Sequence, residues 1–74
     1  MNLLSREILV GLREKYPQGT RVELLRMEDP YTDLLPGDLG TVRYVDDAGT
    51  IHCQWDRGSG LGVVYGVDLV KIVE

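Results

Sequence analysis

Two hydrophobic periods divide the chain. Over residues 3–16, LLSREILVGLREKY, apolar positions recur at helical spacing. At about 100° per residue, Leu4, Ile8, Leu9, Leu12 and Tyr16 fall within a stripe roughly 140° wide, the width of a face docked on a core. Pro17 and Gly19 stop this helix, and Asn2 stands where its N-cap is expected. Leu3 and Val10 lie off that face, one heptad apart, between a row of Arg6 and Arg13 and a row of Glu7 and Glu14. A narrow second stripe of this form resembles a seam for another chain, either a second copy or a larger partner. The plainer reading is two exposed apolar residues on a short helix.

From Thr20 onward the period is two, and turn residues mark out five short strands. In the first, residues 20–27, Val22 and Leu24 alternate with Arg21 and Glu23. A long loop over residues 28–38 closes with Pro36-Gly37, a pair suited to a type II turn. The second strand, residues 39–46, carries Leu39, Val42 and Val45, and Asp46-Asp47-Ala48-Gly49 then forms a hairpin turn. In the third, residues 50–56, Ile51, Cys53 and Trp55 share one face while His52 and Gln54 share the other. Residues 56–60 turn the chain into a fourth strand at 61–66, and Gly66-Val67-Asp68 links it to a last one at 69–73. One long early loop, short later turns and a one-turn link before the final strand describe an SH3-like arrangement. An OB-fold would want longer strands and a helix between the third and fourth, where no helical period occurs. The expected fold is therefore mainly β: a five-stranded SH3-like barrel over residues 17–74, preceded by one N-terminal α-helix over residues 1–16. Its expected core is Val22, Leu24, Val42, Ile51, Cys53 and Trp55.

Several of these residues also carry a family resemblance. Pro36-Gly37-Asp38-Leu39-Gly40-Thr41-Val42, Val45-Asp46-Asp47 with Gly49 and Ile51, Trp55-Asp56 with Gly58-Ser59, and Gly66-Val67-Asp68 resemble a family of small SH3-like proteins of bacteria, their phages and conjugative elements, a domain of unknown function. The spacing of Gly-Thr-Val, Trp-Asp-x-Gly-Ser and a late Asp-Leu is similar to the SH3-like domain beside the zinc modules of mind-bomb-type ubiquitin ligases. The resemblance covers about residues 17–73 and implies a barrel without implying an activity. Its shared residues read as structural, with Asp38, Asp56 and Asp68 placed to accept nearby backbone N–H groups in turns.

Composition narrows the function classes. The 74 residues make one domain, and no apolar run approaches the roughly 20 residues of a membrane span. The N-terminus lacks the pattern of a secretory signal, and a lone Cys53 cannot staple a secreted domain, so a cytoplasmic location is expected. One His and one Cys cannot build a structural zinc site, and no cofactor is expected. Net charge is −4, and from residue 17 onward five bases (Arg21, Arg26, Arg43, Arg57, Lys71) face ten acids, which disfavours phosphate binding.

Catalytic readings fail on geometry. His52 and Cys53 project to opposite faces of a strand, so they cannot form a dyad. Residues 57–62, RGSGLG, lack the following helix and Lys of a nucleotide loop and read as a hairpin turn. What remains is the loop Glu28-Asp29-Pro30-Tyr31-Thr32-Asp33-Leu34-Leu35-Pro36-Gly37-Asp38, with four acids, no bases and an aromatic. Glu28, Asp29, Asp33 and Asp38, with Tyr31 and Tyr44 flanking a groove, would receive an extended, basic protein segment. The plainer reading is that Leu34 or Leu35 plugs the barrel end and the acids keep the loop solvated. The sequence thus points to a non-catalytic protein-binding module or accessory factor of a mobile element or phage, one form of which inhibits a host nuclease or defence protein. The alternative is a nucleic-acid-binding barrel in which Arg21, Arg26, Arg43 and Arg57 converge on one face.

Overall fold

The computed structural model describes residues 5–73, and the chain is mainly β, as its two periods predict. The helix, α1, spans Arg6–Lys15. The strands are β1 (Arg21–Arg26), β2 (Leu39–Val45), β3 (Thr50–Trp55), β4 (Val63–Val64) and β5 (Leu69–Ile72). They form one antiparallel sheet in the order β4-β3-β2-β1-β5. β4 and β5 stand at the two edges and, though one turn joins them, share no ladder, so the expected barrel is open along that line.

The helix begins later than its hydrophobic period suggests. Ser5, not Asn2, is the N-cap: its ψ of 152° is extended, and its hydroxyl accepts the Ile8 amide at 3.2 Å. Asn2, Leu3 and Leu4 lie outside the described residues. Burial grows toward the C-terminal end, where Leu12 and Tyr16 enter the core and Leu9 packs against it. Ile8, expected on the docked face, is 39% exposed because only the second half of the helix rests on the sheet. Arg13 helps hold it there: Nε and Nη2 donate to the Val45 carbonyl at 3.3 Å, and Nη2 reaches Asp47 Oδ1 at 2.8 Å.

All six expected core residues are buried, joined by Leu12, Tyr16, Leu34, Val45, Val63 and Val70. The three-residue spacing of Leu39, Val42 and Val45 does not fit a regular strand, and two departures resolve it. Gly40 rather than Leu39 faces inward, and a bulge between Val42 and Tyr44 inserts Arg43 so that Val45 turns back to the core. Gly40 is obligatory there, since a Cβ would lie 2.7 Å from Cε3 of the buried Trp55 ring. Trp55 in turn donates Nε1–H to the Leu61 carbonyl at 2.8 Å, and Leu61 N–H is tied to Ser59 Oγ at 3.1 Å. Those bonds occupy residues 59–61, which is why the fourth strand spans two residues and not the expected six.

The turns are stapled by aspartates. Asp46 Oδ1 accepts the amides of Ala48 and Thr50 at 3.0 and 2.9 Å, while Oδ2 accepts His52 Nε2 at 2.8 Å. Asp38 accepts the Leu35 amide and a bidentate pair from Arg57, at 2.9 and 3.1 Å. Asp56 does not cap its turn as expected; it takes a bidentate pair from Arg21 at 2.7 and 2.6 Å. The partners, His52 for Asp46, Arg57 for Asp38 and Arg21 for Asp56, hold all three carboxyls below their ordinary range, assisted at Asp46 and Asp38 by turn amides.

Two outcomes are expected. Gly40→Ala forces the Trp55 ring out of place and lowers unfolding free energy by about 1–3 kcal/mol, measured by denaturant titration of Trp55 fluorescence. Acid sensitivity follows from the depressed carboxyls: the unfolded chain binds more protons, so their contribution is present above the ordinary aspartate range near pH 4 and lost as pH falls through the lower folded values. Melting temperature should hold from pH 7 to about 5 and drop below about 4, with a shallower drop in Asp46→Asn.

Candidate functional site

The loop over residues 27–38 is long but pinned. Leu34 is buried in the core, whereas Leu35 is 58% exposed, so the plug role falls to Leu34. At its root the Glu28 amide donates to Asp68 Oδ1 at 2.9 Å. Its tip is built from side-chain turns: Asp29 Oδ1 accepts the Tyr31 amide at 2.8 Å, and Thr32 Oγ1 accepts the Leu34 amide at 3.1 Å. The exit is the expected type II turn, with the Asp38 amide donating to the Leu35 carbonyl at 3.0 Å and Gly37 at φ 98°.

Of the four acids, the loop presents three. Glu28, Asp29 and Asp33 are exposed, although Glu28 lies 3.5 Å from Arg26 Nε. Asp38 is turned inward onto Leu35 and Arg57, so its charge is spent within the fold. Tyr31 stands 95% exposed at the tip.

Tyr44 is not part of this surface. It lies five residues beyond Leu39 along β2, roughly 17 Å at the usual strand rise, while the loop joins the Leu39 end. The two tyrosines therefore flank no common groove. Tyr44 stacks on His52 with ring centroids 4.4 Å apart and planes 15° from parallel. That stack and the Asp46 bond fix the imidazole on the outer face, away from Cys53. Cys53 is buried, and burial pushes its thiol up to about 11, so it offers no thiolate.

On the helix, Leu3 lies outside the described residues, Val10 is exposed, and Arg6 sits at the first helical position. Arg13 does not border a free seam; it is turned onto Val45 and Asp47 of the β2–β3 hairpin. The four arginines of the nucleic-acid alternative are largely committed as well. Arg21 pairs with Asp56, Arg57 with Asp38, and Arg26 with Glu28, while Arg43 is exposed on the β2 bulge.

The open line of the sheet adds a feature with no local sequence signal. A cleft of about 370 Å³ opens between the end of α1 and the β4–β5 link, within the size range of small ligand sites. Leu12, Tyr16, Ile51, Val63 and Val70 form its apolar walls, and Lys15, Arg26 and Asp68 line it as the charged residues. Its lining spans helix, β1, β3, β4, link and β5, so only the folded chain assembles it.

Among the described residues no helix is long and apolar enough to cross a membrane, and no group of three or more His, Cys, Asp or Glu side chains is placed to hold a metal ion. Neither a curated protein nor a solved structure matches the chain. A family model does, and it takes in the helix that the sequence resemblance left out. The model described as "Domain of unknown function (DUF4314)" matches residues 5–73, nearly the whole chain, and the protein belongs to that family.

Proposed function

We propose that the protein is a non-catalytic protein-binding module, an accessory factor of a phage or mobile element, that offers the tip of the loop at residues 28–38 to a basic protein surface. One observation carries this reading: Tyr31 is 95% exposed on a loop whose backbone is fixed by its own side-chain hydrogen bonds. Aromatic residues dominate binding energy when a partner buries them, and a pinned loop gives up little conformational freedom on binding. Asp29 and Asp33 flank Tyr31 along the loop, with Glu28 at its root beside Arg26, and this acidic charge speeds encounter with a positive patch and fixes orientation. The basic nucleic-acid channel of a host nuclease or defence protein is a surface of that kind, and blocking it is the concrete form of the proposal. A buried thiol held in its neutral form and a histidine locked between Asp46 and Tyr44 favour binding over catalysis.

The test compares three baits in host lysate at low salt: the wild type, Tyr31→Ala, and Asp29→Asn with Asp33→Asn. Asn keeps the side-chain oxygen that caps the Tyr31 amide, so the double variant removes charge without opening the loop. The wild type should retain a stoichiometric partner, Tyr31→Ala should lose it by at least tenfold, and the double variant should bind with weaker salt dependence. All three should melt alike. Repeated recovery of nothing, or equal recovery by all three, overturns the proposal.

A further inference from the structure

The outer side of β5 has backbone geometry that points to a specific kind of occupant. The Val73 amide donates to the Arg21 carbonyl at 2.9 Å, and the register pairs Val22 with Ile72, Glu23 with Lys71, and Leu24 with Val70. Hydrogen-bonded and non-bonded pairs alternate in an antiparallel ladder. The bonded pairs are therefore Arg21 with Val73 and Glu23 with Lys71, and the N–H and C=O groups of Val70 and Ile72 point away from β1. Among the described residues no backbone group bonds them from that side.

Val70 also forms a wall of the cleft beside α1, so edge and cleft are continuous. The rim carries Tyr65 and Leu69, each about half exposed. Charge at the site is unevenly committed. Both oxygens of Asp68 accept backbone amides, from Glu28 at 2.9 Å and Val64 at 3.0 Å. Arg26 donates to the Val67 carbonyl at 3.3 Å and stands 3.5 Å from Glu28. The Lys15 ammonium lies 5.4 Å from the Tyr16 ring centroid and has no acidic partner among the described residues. The charge left for a ligand is thus positive, at the cleft's helix side, in a chain of net charge −4.

We infer that β5 and its cleft receive an extended segment of a partner protein. This segment pairs with the outward groups of Val70 and Ile72, places one apolar side chain in the cleft and sets a carboxylate against Lys15. Strand addition of this kind takes its affinity from main-chain bonds and its selectivity from side-chain pockets. The site adjoins the root of the Tyr31 loop through the Glu28–Asp68 bond but is distinct from its tip, and the segment it takes is acidic, whereas the tip seeks a basic surface.

The experiment presents the full chain to a phage-displayed library of random linear dodecapeptides and titrates a synthetic winner into isotope-labelled protein. The expected winners alternate apolar residues and share an acid, and the shifted amides cluster at Lys15, Gly66, Val70 and Ile72. Ile72→Pro removes an N–H that makes no bond to β1, and should weaken the peptide at least tenfold. Lys15→Glu lies on the exposed helix surface and keeps the test decisive if the proline variant unfolds; a repeated selection against it should exchange the shared acid for a base. Tyr31→Ala should leave peptide affinity unchanged, which separates this site from the loop. The inference is overturned by winners without an acid, by shifts centred on residues 28–38, or by a library that yields no winner. It is overturned equally by a dimer in size-exclusion chromatography that Ile72→Pro dissociates, since a second copy would then fill the edge.

Discussion

Burying one indole organises this domain. The chain has a single Trp and no Phe, so Trp55 is the largest side chain in its core and is 1% exposed. A buried indole N–H needs an acceptor, and the Leu61 carbonyl supplies it at 2.8 Å. That bond draws residues 59–61 across the end of β3, which delays β4 until Val63 and shortens it. On the other side the ring presses on β2 so closely that Gly40 alone fits. Three strands are thereby positioned by one residue, a concentrated arrangement for a domain whose size limits its burial to roughly 60% of the unfolded surface.

With so little core available, the loops are held by carboxylates. Asp38, Asp46 and Asp68 each accept backbone amides and each also reaches another segment: Arg57, His52 and the Glu28 amide. A share of the chain's acidity is therefore internal to the fold. Net charge alone overstates how much negative surface a partner would meet. The loop at residues 28–38 shows this directly, because Asp38 looks like the other three acids in the sequence yet points into the structure.

Much of the fold was legible because it rests on local rules. Alternation located the strands and every residue of the expected inner core, and Pro36-Gly37 identified its turn. The shortfalls occur where a distant residue intervenes. Trp55 shortened β4, Gly40 took the inward place of Leu39, and the bulge at Arg43 reset the phase of β2. Ser5 and Asn2 are equally good caps by composition, and the hydroxyl's bond to Ile8 decides between them. Site residues were harder to place. Tyr31 and Tyr44 look interchangeable as exposed aromatics until β2 separates them, and Arg13 looked like a seam residue because its target, the Val45 carbonyl, lies 32 positions away. The cleft had no local signal at all, since residues from six segments line it.

The gap between β4 and β5 is where the fold stays incomplete, and the chain's treatment of it is informative. An unpaired strand edge invites association with other chains, and proteins suppress this with short edges, charge or cover. All three devices occur on β5. It has four residues, Lys71 on its outer face lies 3.9 Å from Glu23, and Val70 looks into a cleft bounded by α1 instead of open solvent. The cover is partial. α1 buries Leu12 and Tyr16 but leaves a cavity at its C-terminal end, with Tyr65 and Leu69 exposed around it. A flat, open edge would admit any strand, and a closed barrel would admit none. An edge flanked at Val70 by a walled cleft, with Lys15 beside it, would favour a narrow, extended segment of matching charge. The short length of β5 and the charge of Lys71 are what disfavour indiscriminate edge-to-edge pairing, and they leave the cleft side of the edge as the place where a selective contact would form.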